Sequence, residues 1–282
     1  MQSVNIAGAS AGMAQLSAIS NRRNLLFRIL SGVVLAPLAL LLTFTGGALF
    51  AIAILAVAAG GLREWLRLVT GKILLWEILP LALVLAAYLF SGMIAAFAAL
   101  GCFTIVLALF GRDNKSPALK ALGVPYVGLT MLSLIWLRDQ PAAGWPMIFF
   151  LFLIVWGTDI GAFIAGRTIG GARLAPLISP NKTWAGFFGG LVIAVILTFI
   201  WTTVVMPASR PFDAACIAIG LSLCAQGGDL FESAMKRRFN VKDSGDLIPG
   251  HGGILDRIDA LLWAAPAFAL LYALGLTVSL SP

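Results

Sequence analysis

The sequence predicts an all-α integral membrane protein of about nine transmembrane helices with its N-terminus in the cytoplasm. Three observations carry that prediction. Hydrophobic residues make up 60% of the 282-residue chain and charged residues 11%, whereas soluble domains carry roughly 25% charged residues. The apolar residues are contiguous: Ile29 to Leu62, Ile73 to Phe110, Trp145 to Ile164 and Ala260 to Leu280 run nearly without charge, and a bilayer span needs only about 20 such residues. Finally, Lys and Arg collect between alternate apolar segments, which fixes an orientation.

Gly, Pro and charge punctuation divides the chain into helices at about 29–45, 47–63, 73–90, 92–110, 121–137, 145–166, 184–206, 213–232 and 260–279. The pairs Gly46-Gly47 and Ser91-Gly92 are expected to be tight turns, because each interrupts an apolar run too long for a single crossing. Arg22, Arg23 and Arg28 precede the first helix. Arg63, Arg67 and Lys72 follow the second, Arg112, Lys115 and Lys120 the fourth, and Arg167, Arg173 and Lys182 the sixth. Lys236, Arg237, Arg238, Lys242 and Arg257 follow the eighth, leaving Arg138 and Arg210 for the far side. Residues 1–21 are rich in Ala, Ser and Gly and read as a flexible tail rather than a cleaved signal peptide, since no basic stretch precedes a short apolar core. Residues 22–282 read as a single polytopic domain.

The net charge of +7 does not point to nucleic acid, because the basic residues are dispersed between apolar runs. Cys102, Cys216 and Cys224 have no paired spacing, and with a single histidine in the chain a zinc site is disfavoured. Carboxylates are the informative residues. Seven of the twelve acidic residues, Asp159, Asp229, Glu232, Asp243, Asp246, Asp256 and Asp259, fall in the second half on the predicted cytoplasmic side. Ionisable groups within apolar helices are costly and face a cavity or a partner; for Asp159 a cavity and a salt bridge to Arg167 or Lys236 both remain open.

Asp229, Glu232, Ser233 and Lys236 are spaced i, i+3, i+4 and i+7 and so share one helix face. Asp256 and Asp259 repeat the i, i+3 spacing at the entrance to the last helix, with Arg257 between them. Two acidic helix ends can thus meet at one interface, a donor set suited to a hard divalent cation such as Mg²⁺. Between them, Pro249-Gly-His-Gly-Gly253 offers backbone amides that can approach an anion. His251 taken alone reads first as a structural residue, with a phosphate donor or a general acid as the functional alternatives. A second polar loop, Ser179 to Gly186, places Lys182 beside a helix start that Thr183 or Asn181 can cap.

These residues resemble the signature of the phosphatidate cytidylyltransferases, or CDP-diacylglycerol synthases. From Ser233 to Asp259 the likeness runs through Lys236-Arg237, Lys242-Asp243, Gly245, Pro249, His251-Gly252-Gly253, Asp256-Arg257 and Asp259. Gln226 to Ser233, Asp159 and Ser179-Pro180 with Lys182-Thr183 extend it upstream. The N-terminal third is similar only as generic membrane helices. Many members carry an acidic residue where this chain has Ala185, so no carboxylate role transfers there.

The resemblance implies transfer of a cytidylyl group from CTP to phosphatidic acid, giving CDP-diacylglycerol and pyrophosphate, in a bacterial inner membrane with the site facing the cytoplasm. It implies a metal centre at Asp229 and Asp256 that takes Mg²⁺, with a monovalent cation such as K⁺ as a further option, and a homodimer. Asp229, Asp256, Lys236, Arg257 and Asp259 are then the expected catalytic residues. Ser179, Lys182, Thr183, Ser233, Arg237, Lys242, His251, Gly252 and Gly253 are the expected substrate contacts. Two rival readings share these residues: a CTP-dependent lipid or polyprenol kinase, which would move the γ-phosphate, and an ion-coupled transporter using Asp159, Asp229 and Glu232.

Overall fold

The computed structural model describes residues 32–71, 75–110, 116–141, 143–207, 209–245, 247 and 252–277. The expected tail, the basic residues Arg22, Arg23, Arg28, Lys72, Arg112 and Lys115, and Asp246, Pro249 and His251 lie outside the described residues.

The chain is built of helices: α1 Gly32–Thr45, α2 Gly47–Thr70, α3 Leu79–Ser91, α4 Met93–Phe110, α5 Pro117–Arg138, α6 Gly144–Thr168, α7 Trp184–Val204, α8 Pro211–Arg238, α9 Leu255–Ile258 and α10 Leu261–Ala273. Among the described residues six of these, α2, α4, α5, α6, α7 and α8, are long and apolar enough to cross a membrane, and α1, α3 and α10 are shorter apolar helices. The expected turns are present: positive φ at Gly46 (64°), Gly47 (58°) and Gly92 (84°) breaks the long apolar runs, a conformation that costs glycine little.

The expected helix 73–90 begins only at Leu79, the expected helix 260–279 ends at Ala273, and three further differences bear on the site. Helix α2 continues seven residues past 63, because Glu64, Trp65 and Leu66 are buried while Arg67 points outward, so the helix stays amphipathic where the charge pattern suggested a loop. Helix α8 likewise runs on to Arg238, which puts Ser233, Lys236 and Arg237 on the helix itself. The polar segment before α7, expected as a loop, is an antiparallel hairpin of β1 Arg173–Ala175 and β2 Ser179–Thr183, with Arg173 opposite Thr183 and Ala175 opposite Ser179.

Helix α5 is the most enclosed of the six long helices and carries pins at both ends. At one end Arg138 donates to the carbonyls of Thr43 and Phe44, closing α1 onto α5. There Tyr88 donates to Asp139 (2.8 Å) and Tyr272 to Gln140 (3.3 Å), drawing in α3 and α10. At the other end the Trp65 indole donates to the Leu119 carbonyl (2.8 Å), and Lys120 pairs with the buried Glu77. The rings of Trp65, Tyr126, Phe231 and Trp263 then join α2, α5, α8 and α10, with neighbouring centroids 5.1–6.3 Å apart. Helices α6 and α7 approach through small residues: a Cβ on Gly161 would lie 2.7 Å from the Gly189 carbonyl, and one on Gly186 2.8 Å from the Ala162 carbonyl. Such close backbone contact is how apolar helices gain packing when water provides no drive between them.

Candidate active site

Helix α6, the β1–β2 hairpin, the start of α7 and the middle of α8 enclose a cavity of about 600 Å³ lined by Asp159, Arg167, Asn181, Lys182, Gln226 and Asp229, among others. That volume falls in the range of small-molecule sites. Each polar group arrives by a definite route. Thr183 caps α7 by accepting a hydrogen bond from the Gly186 amide (3.0 Å), one of the two capping choices the sequence left open. The cap anchors the end of β2, and Lys182, one residue earlier, reaches across to Asp229 with Nζ 2.5 Å from Oδ2. Both side chains keep solvent contact, 25% for Lys182 and 32% for Asp229. Ser233, one turn along α8, donates to the other Asp229 oxygen at 3.4 Å.

A second polar cluster lies at the end of α8. Lys236 binds Glu232 (2.8 Å) and Asp256 (2.7 Å) at once. Asp256 also accepts from the amides of Ser244 (3.0 Å) and Gly253 (2.9 Å). Burial works against its charge, but Lys236 and these amides outweigh it and hold the carboxyl below its ordinary range. Glu232 is fully buried, and its Oε1 has no hydrogen-bond partner among the described residues. Asp259 is brought against α8 at Gly228, where a Cβ would stand 2.5 Å from the Asp259 carbonyl. Burial, with the charges of Asp229, Glu232 and Asp159 around it, pushes the Asp259 carboxyl well above its usual range.

The structure therefore brings Lys182, Asp229 and Ser233 together, and separately Lys236, Asp256, Ser244 and Gly253. Asp159 and Asp259 lie within electrostatic reach of Asp229, and Arg257, itself exposed, within reach of Asp159. Arg237 is also exposed and donates to the Ile178 carbonyl (3.3 Å), tying α8 to the hairpin. Ser179 sits in β2, and Lys242 and Asp243 are exposed on the loop. Gly252 has φ 82° and Gly253 is buried.

The sequence reading passed over Glu64. This α2 carboxylate, 1% exposed, accepts from Ser244 Oγ (3.2 Å) and from the amides of Ile254 (3.0 Å) and Leu255 (2.8 Å). A helix boundary at 63 had placed it in a solvated loop. The available signal was a lone acid amid the apolar Leu62, Trp65 and Leu66.

The fit to a divalent cation rests on the donor set. Among the described residues no three Asp, Glu, His or Cys side chains stand close enough to form a protein-only metal cage. Mg²⁺, however, binds through one or two carboxylates with substrate phosphate and water. Asp229 borders the cavity with about a third of its side chain in solvent, so it offers an open carboxylate to which substrate phosphate and water can add the remaining ligands. The residues fit the ion.

Comparison with known proteins is consistent in direction. Residues 26–274 match the profile described as the Cytidylyltransferase family. The chain is similar to the phosphatidate cytidylyltransferase of Brucella suis biovar 1 (strain 1330), 38% identical over 263 residues that cover 89% of this chain and 93% of the relative. It is similar to that of Bacillus subtilis (strain 168), 36% identical over 261 residues, 88% and 97% of the two chains. With that of Rickettsia bellii (strain RML369-C) it shares 34% identity over 261 residues, 90% and 94% of the two.

Proposed function

This chain belongs to the cytidylyltransferase family, and from that we infer that it converts CTP and phosphatidate to CDP-diacylglycerol and pyrophosphate in phospholipid synthesis. The observation that carries the reading to particular residues is the 600 Å³ cavity, where Lys182 of the hairpin meets Asp229 of α8. A membrane-embedded acceptor and a water-soluble nucleotide both need access to such a place.

In this reading an oxygen of the lipid phosphate attacks the α-phosphorus of CTP in line, the bond from that phosphorus to the bridging oxygen breaks, and pyrophosphate leaves. The phosphate monoester is itself the nucleophile, so no protein nucleophile is required. The protein holds two anions together and offsets charge on the leaving group. Lys182 exchanges Asp229 for triphosphate oxygens, and Arg237, Lys242 and Arg257 add charge at the rim. Ser179, Ser233, His251 and Gly252 are further contacts for the nucleotide, whereas the Gly253 amide is already given to Asp256. Lys236 keeps Asp256 ionised, and Asp259 orients Arg257 or bound water.

Asp229 and Asp256 would hold Mg²⁺, with K⁺ as a companion ion. When bound, the metal supplies Lewis-acid neutralisation of the phosphates. Nine crossings, a cytoplasmic N-terminus and site, a bacterial inner-membrane location and a homodimer belong to the same proposal. The alternation of basic clusters along the sequence supports the orientation.

The test follows the label. Membranes containing the protein are given phosphatidate and CTP carrying ³²P at either the α or the γ position. Label from the α position in the lipid product is the expected result; label from γ alone would make the protein a kinase, and none from either would remove the nucleotide chemistry.

A further inference from the structure

We propose that Glu64 is a positioning residue for this reaction, fixing from α2 the two chain segments that set the place of Asp256. The inference rests on the proposed part of Asp256 in the transfer.

Glu64 does not line the cavity. Its carboxylate instead gathers donors from both sides of the glycine-rich loop: the Ser244 hydroxyl before it and the Ile254 and Leu255 amides after it. The same segments serve Asp256. Ser244 gives its hydroxyl to Glu64 and its amide to Asp256, and the Gly253 amide that binds Asp256 adjoins the Ile254 amide that binds Glu64. Hydrogen bonds to a carboxylate are stronger than those between neutral groups, so Glu64 ties the segments on both sides of the loop to α2.

The loop glycines are shaped to that clamp. A Cβ on Gly245 would stand 2.5 Å from Glu64 Oε1 and 2.7 Å from its Cδ, and one on Gly253 would collide with Glu64 Oε2 and Ser244 Oγ. The anion that these glycines admit to the backbone is the protein's own carboxylate.

Glu64→Gln is the decisive variant. It keeps the size of the side chain but turns an amide NH₂ toward backbone N–H groups, so at least one clamp bond is lost. In the full-length protein, with rates per folded molecule, kcat should fall about tenfold or more while KM for phosphatidate stays within about threefold. Ser244→Ala should lose a few-fold, and the double variant should lose less than the product of the two, because both act through one contact. A Glu64→Gln enzyme within about twofold of the parent kcat, or multiplicative losses in the double variant, would overturn the proposal. So would activity that falls only in step with the folded fraction. If Glu64→Gln does not fold, Ser244→Ala decides: reduced kcat at parental melting temperature supports the proposal, and parental kcat ends it. Asp256→Asn, run alongside, separates the two ideas, since unaffected transfer in that variant removes the role of Asp256 itself.

Discussion

The two carboxylates singled out by their spacing, Asp229 and Asp256, stand in opposite kinds of surroundings. Asp229 faces a cavity, keeps about a third of its side chain in solvent, and has one lysine and a distant serine as partners. The Asp256 side chain is 7% exposed and engaged by Lys236 and two backbone amides. One carboxylate stands open, and the other is already engaged within the protein. Residues drawn together by a sequence motif can thus differ in how much of their bonding the fold has already taken up.

The comparison can be broken most directly at Asp229. Asp229→Asn should lower α-phosphate transfer by about a thousandfold, near 4 kcal/mol in activation free energy, while the apparent melting temperature in detergent stays within a degree or two. Undiminished turnover would take Asp229 out of the reaction. Asp256→Asn should lose activity to a comparable extent but also melt earlier, because removing one charge from a buried pair costs about 3–5 kcal/mol and leaves Lys236 with only Glu232. If the two variants melt alike, the contrast between the neighbourhoods is wrong.

Lys182→Met sharpens the open side. Its ammonium is part-exposed and exchangeable, so the main effect should be a rise of about tenfold in KM for CTP, near 1.4 kcal/mol, which initial-rate measurements would show. Arg138→Met, at the opposite end of the bundle, is the control: losing its hydrogen bonds to α1 should cost about 1.5–3 kcal/mol of stability and leave kcat per folded molecule unchanged. A large change in kcat there would mean that the two ends of the bundle are coupled.

Much of this was legible in the sequence because the signals were local. Contiguous apolar runs marked the helices, Gly46-Gly47 and Gly92 marked the turns, and the i, i+3, i+4, i+7 spacing of Asp229, Glu232, Ser233 and Lys236 described a face that α8 does present. What escaped was set by contacts distant along the chain. Glu64 meets Ser244 and Leu255 across 180 and 191 residues, and nothing near Glu64 in the sequence announces partners so far away. The hairpin escaped for a related reason: Ser179-Pro-Asn-Lys-Thr183 has little strand propensity and is extended because Arg173–Ala175 pairs with it.

That hairpin bears on how firmly a nucleotide can be held. Fixing one residue's backbone costs roughly 1–2 kcal/mol in conformational entropy, and a polar loop carrying Lys182 would incur that loss at the moment of binding. Here strand pairing and the Thr183 cap have already ordered it during folding. The lysine enters the encounter with only its own side-chain torsions left to settle, and more of its attraction for phosphate is available as affinity.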